Sequence, residues 1–103
     1  MPTIEEALEY MGIDYPDAVI TANVKRAMSA AEATIKGSIG KDVFELLPGD
    51  HRLKEIALVY TDDLYTNRGL SAKVSGATRN LVHTMELQLR LDLRARRKEV
   101  QAR

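Results

Sequence analysis

The chain has 103 residues, 45% hydrophobic and 29% charged, which is typical of a globular protein with a single modest core. It contains no cysteine, which excludes disulfides and thiolate metal sites, and its longest apolar run, IALVY at 56–60, is too short to cross a membrane. The opening MPTIEEALEY carries three glutamates and no basic residue, unlike a secretory signal. We therefore expect one domain, residues 1–103, of an intracellular or assembled soluble protein.

The formal net charge is zero, but the two ends of the chain carry opposite charge. Residues 1–24 hold five carboxylates and no lysine or arginine, a net of −5, whereas residues 79–103 hold seven cations and three carboxylates, a net of +4. A basic end is compatible with nucleic-acid binding, although cations near the negative pole of a helix dipole are also typical of a solvated helix end. Opposite ends also favour head-to-tail packing of identical subunits.

Two helices are predicted in the first part of the chain. Thr3 is a good N-cap and Glu6 completes a capping box, so a first helix is predicted over 3–11 with Gly12 at its end. A second is predicted over 17–37, with Pro16 in its first turn and Gly37 at its end. Its apolar positions recur at helical spacing, and its alanines allow another helix to approach closely: Ile20, Val24, Ala27, Met28, Ala31 and Ile35.

The third predicted helix, over 51–68, follows LLPGD, in which Asp50 is the expected N-cap. Its apolar residues occupy most sides of the helix, which is typical of a central helix: Leu53, Ile56, Ala57, Leu58, Val59, Tyr60, Leu64 and Tyr65. Asn67, Arg68 and Gly69 are expected to end it, and a loop with Ser75 as a cap leads to the last helix.

The segment MELQLRLDL at 85–93 alternates apolar and polar residues, which is the period of a half-buried strand. Its residue types favour a helix, however, and no neighbouring strand or turn dipeptide completes a hairpin. A helix over 77–98 is therefore predicted. One side of it, expected to face the core, carries Leu81, Val82, Met85, Leu89 and Leu93.

Leu87 and Leu91 then form a second apolar stripe on another side of this helix. A surplus stripe on a small domain favours an association surface, and the alternative is burial beneath the 69–77 loop of the same subunit. The sequence thus predicts an all-α bundle of about four helices and a polar tail at 99–103, which can be ordered or disordered. The side chains expected to be largely buried are Ile20, Val24, Met28, Ile56, Tyr60, Leu64 and Met85.

No catalytic, cofactor or metal site is predicted. GSIGKD at 37–42 lacks the first glycine and the final Ser or Thr of a phosphate-binding loop, and it follows a helix rather than a strand. His51 and His83 are isolated histidines without a second ligand at metal-binding spacing. Asp62 and Asp63 point about 100° apart on a helix, which favours a solvated face or an intersubunit salt bridge over a shared cation.

Several segments in order resemble the small head–tail connector, or adaptor, proteins of long-tailed bacteriophages and related prophages. The most telling is YTDDLYTNRG at 60–69, which is similar to an aromatic helix of that family ending in Tyr-x-Asn-Arg, here Tyr65 to Arg68. IGKDVF at 39–44 is similar to the family's Gly-Lys/Arg-x-x-Phe turn. The other matching pieces are LEYMGIDYPD at 8–17, RAMSAAEATIKG at 26–37 and LQLRLDLR at 87–94.

This resemblance implies a structural virion protein rather than an enzyme. Such proteins form a homo-oligomeric ring beneath the portal, extend the channel for packaged DNA and dock neck or tail completion proteins. They are assembled in the host cytoplasm and have no membrane partner. The residues expected at subunit or partner interfaces are Leu87, Leu91, Asp62, Asp63, Tyr65 and Arg68. A basic tail expected to face DNA or a partner comprises Arg90, Arg94, Arg96, Arg97 and Lys98.

A small helical DNA-binding module, such as a regulator or a packaging subunit, is the alternative. A helix-turn-helix needs two short helices joined by a tight turn, with polar residues on the second helix. The 37–50 connection is too long for this, and the 51–68 helix is too apolar to lie in a groove. Only the basic tail favours DNA binding, so a connector subunit is the preferred interpretation.

Overall fold

The computed structural model describes residues 1–66 and 76–102, with the side chains of the last helix from residue 79 onward. All regular secondary structure in these residues is helical: α1 Ile4–Tyr10, α2 Ala18–Ser38, α3 Val43–Leu46, α4 His51–Thr66 and α5 Gly76–Gln101. The predicted all-α bundle is therefore confirmed. None of the described helices has the length and apolar character needed to span a membrane. The expected helix end at Asn67, Arg68 and Gly69 and the cap Ser75 lie outside the described residues, whereas residues 76 and 77 of the expected 69–77 loop belong to α5.

The first helix, α1, has the predicted start and stop signals. Thr3 Oγ1 accepts the Glu6 N–H at 3.1 Å, and Glu6 Oε1 accepts the Thr3 N–H at 3.0 Å, which completes the capping box. At the other end Gly12 adopts φ +73°, and the Ile13 N–H donates to the Leu8 carbonyl at 2.9 Å. This is the Schellman arrangement, which glycine favours because it has no Cβ to strain a left-handed backbone.

The second helix differs from its prediction at both ends. Asp17 is the N-cap, and its carboxylate accepts the Ile20 N–H at 2.7 Å. Pro16 therefore precedes the cap instead of lying in the first turn. Gly37 does not end the helix, which continues to Ser38, because its φ is not positive and a glycine in right-handed helical geometry costs only about 0.5–1 kcal/mol.

The fourth helix, α4, is central, as predicted, because it packs against α1, α2 and α5. Ile56 and Leu58 are both buried, but two residues along a helix are about 200° apart, so they face different neighbours. Leu58 clusters with Ala7 of α1, whereas Ile56 clusters with Leu89 and Leu93 of α5. As a result, α1 and α5 lie on opposite sides of α4.

The core prediction is right for some residues and wrong for one. Val24 and Ile56 are fully buried, whereas Leu64 is 40% exposed. Leu64 lines a hollow of about 320 Å³ between α2 and α4, where the facing side chains include Ala27 and Ala30. Alanines are too short to cover a leucine there. The remaining members of the predicted set are half-buried: Ile20, Met28, Tyr60 and Met85.

The alternating segment at 85–93 is helical, which confirms that residue propensity and the missing strand partner outweigh the two-residue period. The helix also runs to Gln101, so residues 99–101 of the predicted tail belong to α5. Leu81 was expected in the core and is 59% exposed. The buried line instead follows the spacing i, i+4, i+7, i+11 through Val82, Glu86, Leu89 and Leu93.

The 37–50 connection contains a short helix, α3, that the sequence did not predict. Val43 of this helix is fully buried and joins the cluster around Ile56. Just before it, the backbone at Gly40 passes so close to α5 that a Cβ there would lie 2.6 Å from Leu93 Cδ2. The small residue at position 40 thus sets how closely α5 approaches the rest of the bundle.

Candidate assembly surface

The outward side of α5 carries exposed leucines. Leu87 is 46% exposed and Leu91 is 64% exposed, whereas Leu89 between them is fully buried. Each exposed leucine is two residues from Leu89 and therefore about 200° around the helix from the core. The alternative considered from the sequence, burial beneath the 69–77 loop, involves residues 69–75, which lie outside the described part of the chain.

Two cations continue the line of these leucines. Arg94 and Lys98 follow Leu87 and Leu91 at the helical spacing i, i+4, i+7, i+11, and both are exposed. Neither side chain forms an ion pair or hydrogen bond with any residue that the structure describes. We call Leu87, Leu91, Arg94 and Lys98 the outer stripe. It combines apolar area with two positive charges on the side of α5 that faces away from the bundle.

The other three cations of the predicted basic tail contact their own chain. Arg90 Nε donates to the Ser38 carbonyl at 2.7 Å, and Arg96 Nε donates to the Leu46 carbonyl at 3.3 Å. Arg97 donates through Nε to Asp42 Oδ2 at 3.0 Å. These arginines flank the buried side of α5 and tie it to the end of α2 and to α3. The sequence treated all five cations as one set because it could not show these long-range contacts.

Ion pairs across the bundle also fix the position of α5. Arg52 of α4 contacts Asp92 of α5 at 2.5 Å and Asp50 at 2.8 Å. Hydrogen bonds from the Arg52 guanidinium, aided by backbone N–H groups, hold the pKa of Asp50 below its ordinary value. The Arg97 guanidinium lowers the pKa of Asp42 in the same way. Both carboxylates therefore stay ionised near neutral pH. Asp42 pairs with Arg97 of α5 directly, and Asp50 holds the Arg52 side chain that contacts Asp92.

The other predicted interface residues do not join the outer stripe. Tyr65 is half-buried against the cluster around Leu58, on the side of α4 that faces away from α5. Asp62 accepts a hydrogen bond from Thr66 Oγ1 at 3.1 Å on the same helix. Asp63 lines a cavity between α4 and α5. Arg68 lies outside the described residues.

The structure contains a buried carboxylate between α4 and α5 that was not predicted from the sequence. Glu86 is only 6% exposed; its Oε1 accepts a hydrogen bond from the Tyr60 hydroxyl, and its Oε2 lies 3.6 Å from Arg90 Nη2. Burial and the neighbouring carboxylate raise the pKa of Tyr60 far above its ordinary value, so the hydroxyl keeps its proton. The signal was present: Glu86 lies four residues after Val82 and three before Leu89, on the buried line.

The cavity beside Glu86 has a volume of about 330 Å³. Its polar lining includes Tyr60, Asp63, Arg79, His83 and Glu86. Tyr60 acts there as a hydrogen-bond donor rather than a base, because its raised pKa keeps it protonated. Nowhere in residues 1–66 and 76–102 do three His, Asp or Glu side chains come together as a metal site. The hydrogen bond between Tyr60 and Glu86 joins α4 to α5.

No protein-family model, curated protein or solved structure matches this chain. The function implied by the resemblance to phage connector proteins therefore stays a proposal. The feature that bears on it most directly is the outer stripe, which exposes apolar area and unpaired cations together.

Proposed function

We propose that the chain is a structural subunit of a phage head–tail connector, a ring assembled beneath the portal in the host cytoplasm and retained in the virion. The observation that carries this proposal is the exposure of Leu87 and Leu91 on the side of α5 opposite the core. Apolar area of this kind on a small all-α subunit supports an association surface. The resemblance supports the portal and neck or tail completion proteins as further partners, with packaged DNA passing through the ring.

Burial of the two leucines of the outer stripe supplies part, but not all, of the free energy that association requires. Fully burying a leucine side chain stabilises a contact by about 1.5–3 kcal/mol, so Leu87 and Leu91 together contribute at most about 3–6 kcal/mol. Association itself costs about 4–15 kcal/mol of lost motional freedom. The two leucines therefore form the centre of a larger contact, for which about 800 Å² per partner is standard. In a ring, every subunit forms such a contact with each of its two neighbours.

The alternative function, DNA binding by the basic tail, has less support. Arg90, Arg96 and Arg97 already donate hydrogen bonds to Ser38, Leu46 and Asp42 of their own chain. Only Arg94 and Lys98 of the predicted basic set remain without a partner among the described residues. Non-specific DNA binding gains most of its strength from many phosphate contacts, and two cations beside exposed leucines suit a protein partner better.

The test is to make the stripe polar and to measure assembly. The variant carries Leu87→Gln and Leu91→Gln, and the control carries Leu81→Gln, because Leu81 is 59% exposed but lies on another side of α5. Light scattering gives the mass of each protein alone and with a candidate portal protein, and circular dichroism gives its helicity. We expect the double variant to stay helical and to lose assembly, while the control assembles like the wild type.

Three outcomes would contradict the proposal. If the double variant assembles with itself and with the portal as the wild type does, the leucines are not an association surface. If it loses its helicity and cooperative melting while the Leu81→Gln control keeps both, Leu87 and Leu91 contribute to the fold of the monomer. A wild-type protein that remains monomeric at high concentration and in the presence of portal would contradict ring formation itself.

A further inference from the structure

The outer side of α1 faces away from the core, as the outer stripe does, but it carries the opposite charge. Ala7 is 1% exposed, and Glu5 and Glu9, two residues to either side of it, point about 200° away from the core. Asp14 follows in the connection to α2, beside Tyr15, whose side chain is 93% exposed. We call Glu5, Glu9, Asp14 and Tyr15 the acidic face.

The carboxylates of the acidic face have no counter-charge within the subunit. The side chains of Glu5, Glu9 and Asp14 form no ion pair or hydrogen bond with residues 1–66 or 76–102. By contrast, the neighbouring Glu6 is paired with Lys54 of α4, and Asp17 caps α2. The three remaining negative charges and the exposed tyrosine therefore face solvent.

The acidic face and the outer stripe cannot meet within one subunit. The helix α1 packs beside Leu58 of α4 and α5 packs beside Ile56, so the two surfaces lie on opposite sides of the central helix. Two charges on each surface nevertheless match in spacing. Glu5 and Glu9 are four residues apart, as are Arg94 and Lys98, which is about 6 Å along a helix axis in each case. Two helices lying side by side can pair both sets at once.

We propose that the outer stripe of one copy docks on the acidic face of the next copy. This inference rests on the proposed ring function and names the surface that covers Leu87 and Leu91. Arg94 and Lys98 pair with Glu5 and Glu9, while the leucines pack beside the exposed ring of Tyr15. Because the two surfaces differ, the contact is head-to-tail, and repeating it closes a ring when the rotation allows.

Charge complementarity favours a second copy over other occupants. The chain as a whole has a net charge of zero, and a contact between copies places the two cations of the outer stripe against the carboxylates of the acidic face. A nucleic acid could satisfy the stripe but would be repelled by the acidic face. A second copy of the chain offers an acidic face to the outer stripe and an outer stripe to the acidic face, so it matches the charge of both surfaces.

Charge reversal provides the experiment. One variant carries Arg94→Glu and Lys98→Glu, and so has two acidic surfaces; the other carries Glu5→Lys and Glu9→Lys, and so has two basic ones. Each variant alone should associate more than about tenfold more weakly than the wild type, because like charges then face each other. An equimolar mixture should recover assembly, since every stripe again meets a face of opposite charge. A chain carrying all four substitutions should also recover it.

Controls separate this effect from changes in net charge or folding. A Lys25→Glu and Lys41→Glu variant makes the same change in net charge as the Arg94→Glu and Lys98→Glu variant, but at exposed positions elsewhere, and should assemble normally. Lysine is unfavourable at position 5, near the helix N-terminus, and favourable at position 9, near its C-terminus, so α1 should remain helical. If a reversed variant loses helicity, two neutral variants test the same contact. One carries Arg94→Gln and Lys98→Gln, the other carries Glu5→Gln and Glu9→Gln, and each should weaken association.

The results distinguish this inference from the proposed function. Light scattering at low and high salt, alone and with a candidate portal, should show association that weakens as salt rises. Suppose that the Leu87→Gln and Leu91→Gln variant loses assembly, but both charge-reversed variants assemble normally or their mixture fails to recover. The stripe would then meet a surface other than the acidic face, which overturns this inference and leaves the proposed ring standing. If the leucine variant assembles normally, the proposed function fails first.

Discussion

Two glycines of the α2–α3 region should respond in opposite directions to the same substitution. Gly37 lies inside α2, and a Cβ added there meets nothing within 4 Å. Gly40 lies two residues beyond the helix, and a Cβ there would be 2.6 Å from Leu93 Cδ2 and 2.7 Å from Arg97 Nη2. Ordinary van der Waals contacts begin at 3.4 Å, so Gly40→Ala requires a neighbour to move. Arg97 is exposed and can move, but Leu93 is only 1% exposed and is packed in the core cluster with Ile56 and Leu89.

The expected difference in the free energy of unfolding follows from comparing the two variants. Replacing glycine with alanine at a compatible position stabilises a protein by about 0.4–1 kcal/mol, because the unfolded chain loses freedom. This gain in stability applies to both variants, so it cancels when the free energies of unfolding of the two variants are compared. Overpacking a core contact costs about 1–3 kcal/mol, so Gly40→Ala should be less stable than Gly37→Ala by that amount. For a domain of this size the difference corresponds to about 4–8 °C in Tm for each kcal/mol.

Urea and thermal unfolding followed by circular dichroism measure this difference. Both variants are best made together with Leu87→Gln and Leu91→Gln, so that association does not add concentration-dependent stability. Gly37→Ala should melt at or above the temperature of its parent, and Gly40→Ala well below the temperature of Gly37→Ala. Equal stability of the two variants would refute the close packing of Leu93 on Gly40, and with it the position of α5 against the α2–α3 connection.

Two further predictions concern the contact between α4 and α5. Ile56→Ala should lower the free energy of unfolding by about 2–5 kcal/mol, because Ile56 is fully buried; a loss below about 0.5 kcal/mol in urea titration would show that it is not in the core. Tyr60→Phe should cost about 1–3 kcal/mol by removing the donor to the buried Glu86. Since the raised pKa of Tyr60 lets the folded state hold its proton longer than the unfolded state, stability should fall as pH rises above about 10. Tyr60→Phe should reduce that fall, and an unchanged pH profile would contradict the pairing.

The local sequence determined most of the helices and their ends. Thr3 with Glu6, Gly12 and Asp50 are local signals, because a cap satisfies backbone groups only a few residues away. The same holds for α5, where the choice between strand and helix follows from residue propensity and from the missing hairpin turn. The surplus stripe at Leu87 and Leu91 was also visible, since it follows from helical periodicity.

Only the tertiary structure decided which neighbouring side of each helix is buried and which charges are already paired. Periodicity could not choose between Leu81 and Val82, because two neighbouring apolar residues about 100° apart fit the same broad arc and the facing helix selects between them. Leu64 stayed exposed because of the alanines opposite it. The pairing of Arg97 with Asp42 joins residues 55 positions apart, and its partner could not be read from either local segment. That long-range contact separates the arginines that hold the bundle together from the Arg94 and Lys98 left on its surface.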